Sequence, residues 1–179
     1  YPRLFGWDVK VFTNCRFGLM LWALLPISVA YAQKEDFNGH ISNEIIVNCL
    51  LQLVYLSKFY WWESGYMSTV DIMHDRAGYY ICWGCLVWVP TIYTMASQYI
   101  YFKFKNAPDG LNGPNALSNE LAMVYVVAGL ISIFVNYDAD NHRGVFRKYN
   151  GAVTIFGNDA KYIVAKYTPQ NGKEKTSLL

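Results

Sequence analysis

Asp71, His74 and Asp75 stand at positions i, i+3 and i+4, immediately ahead of the apolar run "AGYYICWGCLVWVP". On a helix that begins before Asp71 they share one face, with Gly78 at i+7. A histidine between two carboxylates can relay a proton, ligate a metal or hold a structural hydrogen-bond network. A metal centre needs more donors than this. The chain has three histidines, His40, His74 and His142. The charge pattern described below puts His40 across a membrane from His74, which excludes a histidine-box iron oxygenase, so no metal is expected. A second polar group, Asn48, Gln52 and Tyr55, recurs at i, i+4 and i+7 inside an apolar stretch. Lipid cannot satisfy such a stripe, so it must face a bundle interior or a cavity. It either ties helices together by hydrogen bonds or lines a substrate pocket. A third group is Arg143 and Arg147, four residues apart, with Lys148 adjacent. On a helix both guanidiniums fall on one face, where their planar forks suit phosphate groups; the other reading is basic charge resting on lipid headgroups.

Cys82 and Cys85 form a CxxC. Inside an apolar run they read as small helix-packing residues rather than as a redox or zinc pair. Nothing resembles a Ser/His/Asp triad, a P-loop or a glycine-rich dinucleotide loop. The aromatics sit in apolar runs and not among basic patches, so no nucleic-acid partner is expected. The four cysteines are too few for a secreted disulfide scaffold.

The elements that must position these groups are apolar. Of the 179 residues 54% are hydrophobic, 17% aromatic and only 16% charged, against about 25% charged in an ordinary soluble domain. Four apolar stretches, 17–32, 44–62, 77–102 and 121–137, approach the roughly 17–25 residues that a spanning helix needs. Buried core helices are the alternative, but the aromatic ends suit a bilayer. The expected fold is therefore an all-α polytopic membrane protein with about four transmembrane helices over residues 1–137. Pro26 and Pro90 predict kinks in the first and third spans, with a break in the third near Pro90. Lysines and arginines gather in 1–16, 63–76 and 138–179, which the positive-inside rule places in the cytoplasm. The opposite loops, "QKEDFNGHISN" and "KFKNAPDGLNGPNALSN", read as connectors, and Asn119 with Glu120 as the start of the fourth span. Lys58 and Glu63 read as interfacial. Beyond Tyr137 a basic loop gives way to "AVTIF" and "KYIVAKYT" and an Asn-Gly turn signal, which predict a short cytoplasmic β-hairpin element in 138–179. The first residue is Tyr1 and no leader pattern is present, so the chain reads as a slice of something longer.

At this point the wording itself is informative. "YPRLFGWDVKVFTNCRFG", "WWESGYMSTVDIMHDRAGYYICWGCLVWVP", "NHRGVFRKYNG" and the closing "KTSLL" resemble the sterol reductase family across essentially the whole chain. Within that family the wording is most similar to the plant-type Δ7 (7-dehydrocholesterol) branch. The resemblance implies a multi-pass endoplasmic-reticulum enzyme that takes a sterol from the bilayer, among membrane lipids. It would use NADPH to reduce a ring double bond, above all C7=C8 of 7-dehydrocholesterol-type sterols, by protonation plus hydride transfer. Parts of the family fold on both sides of this chain would be missing, and the chain alone would be inactive. The resemblance also implies that Arg143 and Arg147 hold the cofactor's phosphates and that Tyr55 is the proton donor at the sterol. Asp71, His74 and Asp75 would stand at the junction of the sterol and cofactor pockets, passing protons or pinning the third span. The alternatives are reduction of a Δ14 or C-24(28) bond, or a non-enzymatic membrane structural protein of the lamin B receptor type.

Overall fold

The computed structural model describes residues 3–67, 79–112, 116–168, 172 and 175–178. Asp71, His74 and Asp75, and the expectations attached to them, lie outside the described residues. The chain divides into two compact units, Tyr1–Ile133 and Phe134–Leu179.

The first unit is helical except at its entry. Strands β1 (Arg3–Leu4) and β2 (Trp7–Asp8) pair antiparallel around Phe5 and Gly6, both at positive φ. Asp8 then starts α1 (Val9–Phe12): its Oδ1 accepts from the amides of Lys10 and Val11 at 3.0 and 3.1 Å, satisfying donors that a helix start leaves open. The rod widens into a π-helical segment, Thr13–Gly18, and continues as α2 (Leu19–Asp36). Pro26 lies within α2 without ending it. Helix α3 (Asn43–Trp61) is capped by Ser42, whose Oγ accepts from the Ile45 amide. A short α4 (Glu63–Tyr66) follows.

The third apolar stretch is not one regular helix. It comprises α5 (Tyr79–Trp83), a second π-helical segment (Gly84–Tyr93) and α6 (Met95–Lys105). Pro90 supplies no amide hydrogen and crowds the preceding turn, and the wide π turns absorb that misfit. Thr94 Oγ1 donates to the carbonyl of Pro90 at 2.5 Å, which keeps that oxygen satisfied. The interruption expected near Pro90 thus takes the form of a change in helical pitch, followed by a restart after Thr94.

Helix α7 (Asn119–Lys148) is 30 residues long and begins where Asn119 and Glu120 predicted. It runs past Tyr137, through residues that the sequence reading assigned to a loop. Pairs along its surface explain this: His142 Nδ1 lies 3.4 Å from Asp138 Oδ2, and Arg143 pairs with Asp140. The helix ends in a Schellman turn. Asn150 at φ 50° donates to the Arg147 carbonyl, and Gly151 at φ 83° donates to that of Phe146 at 2.9 Å.

Among the described residues two rods, Val9–Asp36 and Asn119–Lys148, are long and apolar enough to cross a bilayer. Helix α3 carries Asn48, Gln52 and Lys58 along its length, and the third stretch is broken in pitch. The first unit packs α2 against α3, α6 and the second π segment. Its core includes Cys15, Leu19, Ile45, Leu56, Cys85, Val89 and Phe104. Large apolar side chains also face outward, among them Met20, Leu24, Met123, Val127 and Ile131. A soluble surface rarely carries such an array.

In the second unit, the end of α7 is followed by two small hairpins. Strands β3 (Thr154–Ile155) and β4 (Asn158–Asp159) turn through Phe156 and Gly157, both at positive φ as a tight hairpin turn requires. Strands β5 (Val164–Tyr167) and β6 (Lys175–Leu178) pair antiparallel from Val164↔Leu178 to Tyr167↔Lys175.

Candidate functional site

The polar stripe of α3 is a hydrogen-bonded chain across three helices. Trp22 Nε1 of α2 donates to Gln52 Oε1 at 2.6 Å. Gln52 Nε2 donates to Asn48 Oδ1 at 2.9 Å, and Asn48 Nδ2 donates to Ser97 Oγ of α6 at 2.6 Å. Asn48 and Gln52 therefore tie helices together. Tyr55, one turn further on, is differently placed. It is 36% exposed, its ring lies 5.7 Å from that of Trp22, and the Lys58 ammonium sits 5.8 Å from its ring centroid.

Next to this chain lies a cleft of about 510 Å³, walled by Tyr66, Trp83, Trp88, Val89 and Tyr93. Tyr80, Cys85 and Asn14 also line it, and Asn14 is 5% exposed. Asn14 donates through Nδ2 to the Tyr66 phenol oxygen and accepts through Oδ1 from the Cys85 thiol at 2.9 Å. Tyr55 does not line this cleft. Two rings stand between: Tyr93 packs on Trp22 at 4.8 Å, and Trp22 in turn packs on Tyr55. The two π segments meet at the cleft floor. A Cβ on Gly18 would lie 2.9 Å from Cys85 Cβ and 3.3 Å from its carbonyl oxygen, so a glycine is what permits this approach. Arg16 closes the neighbouring end with a two-armed pair to Glu63, its Nη2 2.9 Å from Oε2. The Tyr60 hydroxyl donates to the Cys15 carbonyl at 3.0 Å. Asn14, Tyr66 and Cys85 were not singled out as site residues from the sequence. The signal available was an asparagine one helical turn before Gly18 in the stretch "VFTNCRFG".

At the other end of the same unit, Tyr101 and Lys105 both donate to Asp36 Oδ2, at 2.5 and 2.9 Å. These partners hold the Lys105 ammonium above its ordinary range, the Tyr101 hydroxyl first and the Asp36 carboxylate second. Lys103 stands 3.9 Å from Glu44, whose Oε1 accepts from the Leu117 amide. These contacts join the connectors rather than form a reactive centre.

In the second unit Arg143 and Arg147 are both exposed on the helical end of α7, four residues apart and hence on one face. Arg143 is engaged by Asp140. A cleft of about 550 Å³ lies beside this helix, lined by Val145, Tyr149, Gly151, Val153, Thr154 and Asp159. Neither arginine lines it. At 3.6 residues per turn, Val145 stands roughly 200° round the helix from Arg143. Two guanidiniums on one helix face have the planar forks that suit phosphate, and both are already engaged within the chain, Arg143 by Asp140.

The features that mark a class are rods of membrane-crossing length, a cleft walled largely by aromatic rings and, in the second unit, two exposed arginines on one helix face. The comparisons make the class specific: the chain belongs to the ergosterol biosynthesis ERG4/ERG24 family of sterol reductases, whose profile matches residues 1–174. It is 48% identical to a 7-dehydrocholesterol reductase of Arabidopsis thaliana over 180 residues, covering all of this chain and 39% of that protein. It is 34% identical to a 7-dehydrocholesterol reductase of Xenopus laevis, covering 99% of this chain and 36% of that protein. A Delta(14)-sterol reductase of Dictyostelium discoideum is 29% identical over 92% of this chain and 34% of its own length. The chain thus spans well under half the length of these relatives.

Proposed function

We propose that the protein carrying this chain reduces the C7=C8 double bond of a 7-dehydrocholesterol-type sterol with NADPH. The observation that carries the reading is the gradient of likeness: 48% identity to the Arabidopsis 7-dehydrocholesterol reductase against 29% to the Dictyostelium Delta(14)-sterol reductase. In this reading the four apolar stretches all cross the endoplasmic-reticulum membrane, with residues 1–16, 63–76 and 138–179 in the cytoplasm, and the sterol enters from the bilayer.

The C7=C8 bond of a 7-dehydrocholesterol-type sterol is conjugated only with another C=C, so it does not take up hydride unaided: no electron-withdrawing group holds the resulting carbanion. Protonation of one carbon creates a cation at the other, which then accepts hydride; NADPH, when bound, supplies that hydride. Tyr55 is the proposed acid. A free phenol has a pKa near 10, so it needs help to give up its proton. The Lys58 ammonium over its ring offsets the charge left on the phenol. Arg143 and Arg147 would hold the cofactor phosphates by charge-assisted forks, which requires each to share or release the partner it has within the chain, Asp140 in the case of Arg143. Asp71, His74 and Asp75 are proposed to line the junction of the two pockets.

The test is turnover by the complete purified protein, given 7-dehydrocholesterol or a Δ14-unsaturated sterol with NADPH or NADH. Loss of the C7=C8 bond with NADPH is expected. Reduction of the Δ14 substrate alone would move the protein to the other branch, and no reduction of either would favour a structural role.

A further inference from the structure

Two short hairpins of this chain share an uncommon turn. In "RLFGWD" strands β1 and β2 turn through Phe5 and Gly6, at φ 52° and 82°; in "TIFGND" strands β3 and β4 turn through Phe156 and Gly157, at φ 51° and 79°. Two positive φ values in succession mark a tight hairpin turn whose first place suits asparagine, aspartate or glycine. A phenylalanine is strained there, because its bulk disfavours the left-handed region. Burial within the chain does not offset that strain. Phe5 is 94% exposed and Phe156 82%, and the glycine beside each faces open space. Strain of this kind persists where it serves a purpose, and its recurrence in two separate segments points to a surface outside the chain that receives the ring.

Each hairpin adjoins the end of a rod long and apolar enough to cross a bilayer. Phe12 lies five residues before the apolar stretch 17–32, and the Trp7 ring of β2 packs on it at 5.5 Å. His142 lies five residues after the apolar stretch 121–137, and the Phe156 ring packs on it at 5.2 Å. Five helical residues rise roughly 7 Å, about the depth of one headgroup layer. The second hairpin doubles back along α7: the chain leaving it packs Tyr162 on Phe146 at 5.5 Å, while its tip reaches one turn nearer the rod, to His142. Charge agrees with this placement. Residues 1–16 carry Arg3, Lys10 and Arg16 against Asp8, and residues 148–168 carry Lys148, Lys161 and Lys166 against Asp159. An aromatic tip in net positive surroundings suits the boundary between acyl chains and anionic headgroups.

We propose that the two Phe-Gly hairpins are membrane-surface anchors: Phe5 and Phe156 sit in the headgroup layer beside their own rods, and the partner is an anionic phospholipid surface. The inference goes beyond the sterol reaction and rests only on the two rods crossing the bilayer. In the second unit the anchor fixes the polar outer turns of α7, which carry Arg143 and Arg147, against the leaflet that the rod leaves.

The experiment reads where each tip lies. The complete protein, stripped of its native cysteines, is reconstituted into vesicles of phosphatidylcholine and phosphatidylserine, with bimane on a single Phe5→Cys, Phe156→Cys or Lys161→Cys. Quenching by a nitroxide carried near the lipid headgroups is compared with quenching by iodide in the water. The labels at positions 5 and 156 are expected to be quenched by the nitroxide and shielded from iodide, and the label at position 161 to show the reverse. Omitting phosphatidylserine is expected to weaken the nitroxide quenching at both tips. Because a label alters the tip, a second series keeps bimane on Asn158→Cys, in the adjoining strand, and varies position 156. Phe156→Trp is expected to retain nitroxide quenching there, and Phe156→Asn, which suits the turn better, to lose it. Iodide quenching at either tip would place it in water, and quenching by neither agent would bury it against the rest of the protein. Either result, indifference to phosphatidylserine, or unchanged nitroxide quenching in Phe156→Asn would overturn the inference and leave the sterol reading intact.

Discussion

Tyr55, Arg143 and Arg147 carry different parts of the proposed reaction, so substitution should separate them. Tyr55→Phe keeps the ring against Trp22 and removes only the proton. The complete protein is expected to lose kcat by 100-fold or more, on the order of a general acid's contribution, with the sterol KM within a few-fold. Arg147→Ala should do the opposite, raising the NADPH KM by about tenfold or more with a small effect on kcat, since a charge-assisted bond to phosphate contributes about 1.5–3 kcal/mol. Steady-state kinetics with each substrate varied in turn checks both. The i, i+4 spacing of the two arginines offered a shared face only if the stretch is helical, and α7 supplies that helix where the sequence reading had a loop. Asn14 and Tyr66 were not legible as a pair, because they lie 52 residues apart and meet only when the first π segment packs beside α4. The stripe on α3 was legible as a face, but its division was not. Asn48 and Gln52 are spent on Trp22 and Ser97, contacts that only the packed helices reveal.

Among the elements, the two π segments set the geometry of the cleft. Gly18 is where they touch, and any larger side chain meets the Cys85 backbone. Gly18→Leu is expected to destabilise the complete protein by about 1–3 kcal/mol, as over-packing does, seen as a lower midpoint of thermal unfolding. Gly151 faces two obstacles at once. Its φ is 83°, and a Cβ there would lie 2.5 Å from the Tyr162 ring. Gly151→Val should therefore disturb the second unit, read as faster proteolysis after residue 148, while Gly144→Ala, with open space around it, should not. Helix existence was readable from apolar runs and caps, and α3 falls within a residue of its expected bounds at each end. Pitch was not. Pro90 announces an interruption, but a proline does not say whether the chain will kink, stop or widen into π turns. The extension of α7 to Lys148 was hidden for a related reason. Its last turns are polar, so apolar periodicity fades, while the pairs to Asp138 and Asp140 that support them count for little in a hydropathy reading.

For the molecule as a whole, the account places the α2–α3 and α6–α7 connectors on one side of the membrane and residues 138–179 on the other. Single cysteines at Lys105 and Lys161, in a complete protein stripped of its native cysteines, are expected to label oppositely with a membrane-impermeant maleimide in sealed microsomes. Labelling from the same side would remove the four-span reading. The central claim is chemical: one hydrogen reaches the sterol as hydride from NADPH and the other as a proton passed through a phenol. It is tested most directly by isotope tracing with the complete protein and 7-dehydrocholesterol. With NADPH deuterated at the transferable position, one deuterium is expected on one carbon of the former double bond; in deuterated water with ordinary NADPH, one is expected on the other. A product carrying no cofactor-derived deuterium, or deriving both hydrogens from solvent, would contradict the account.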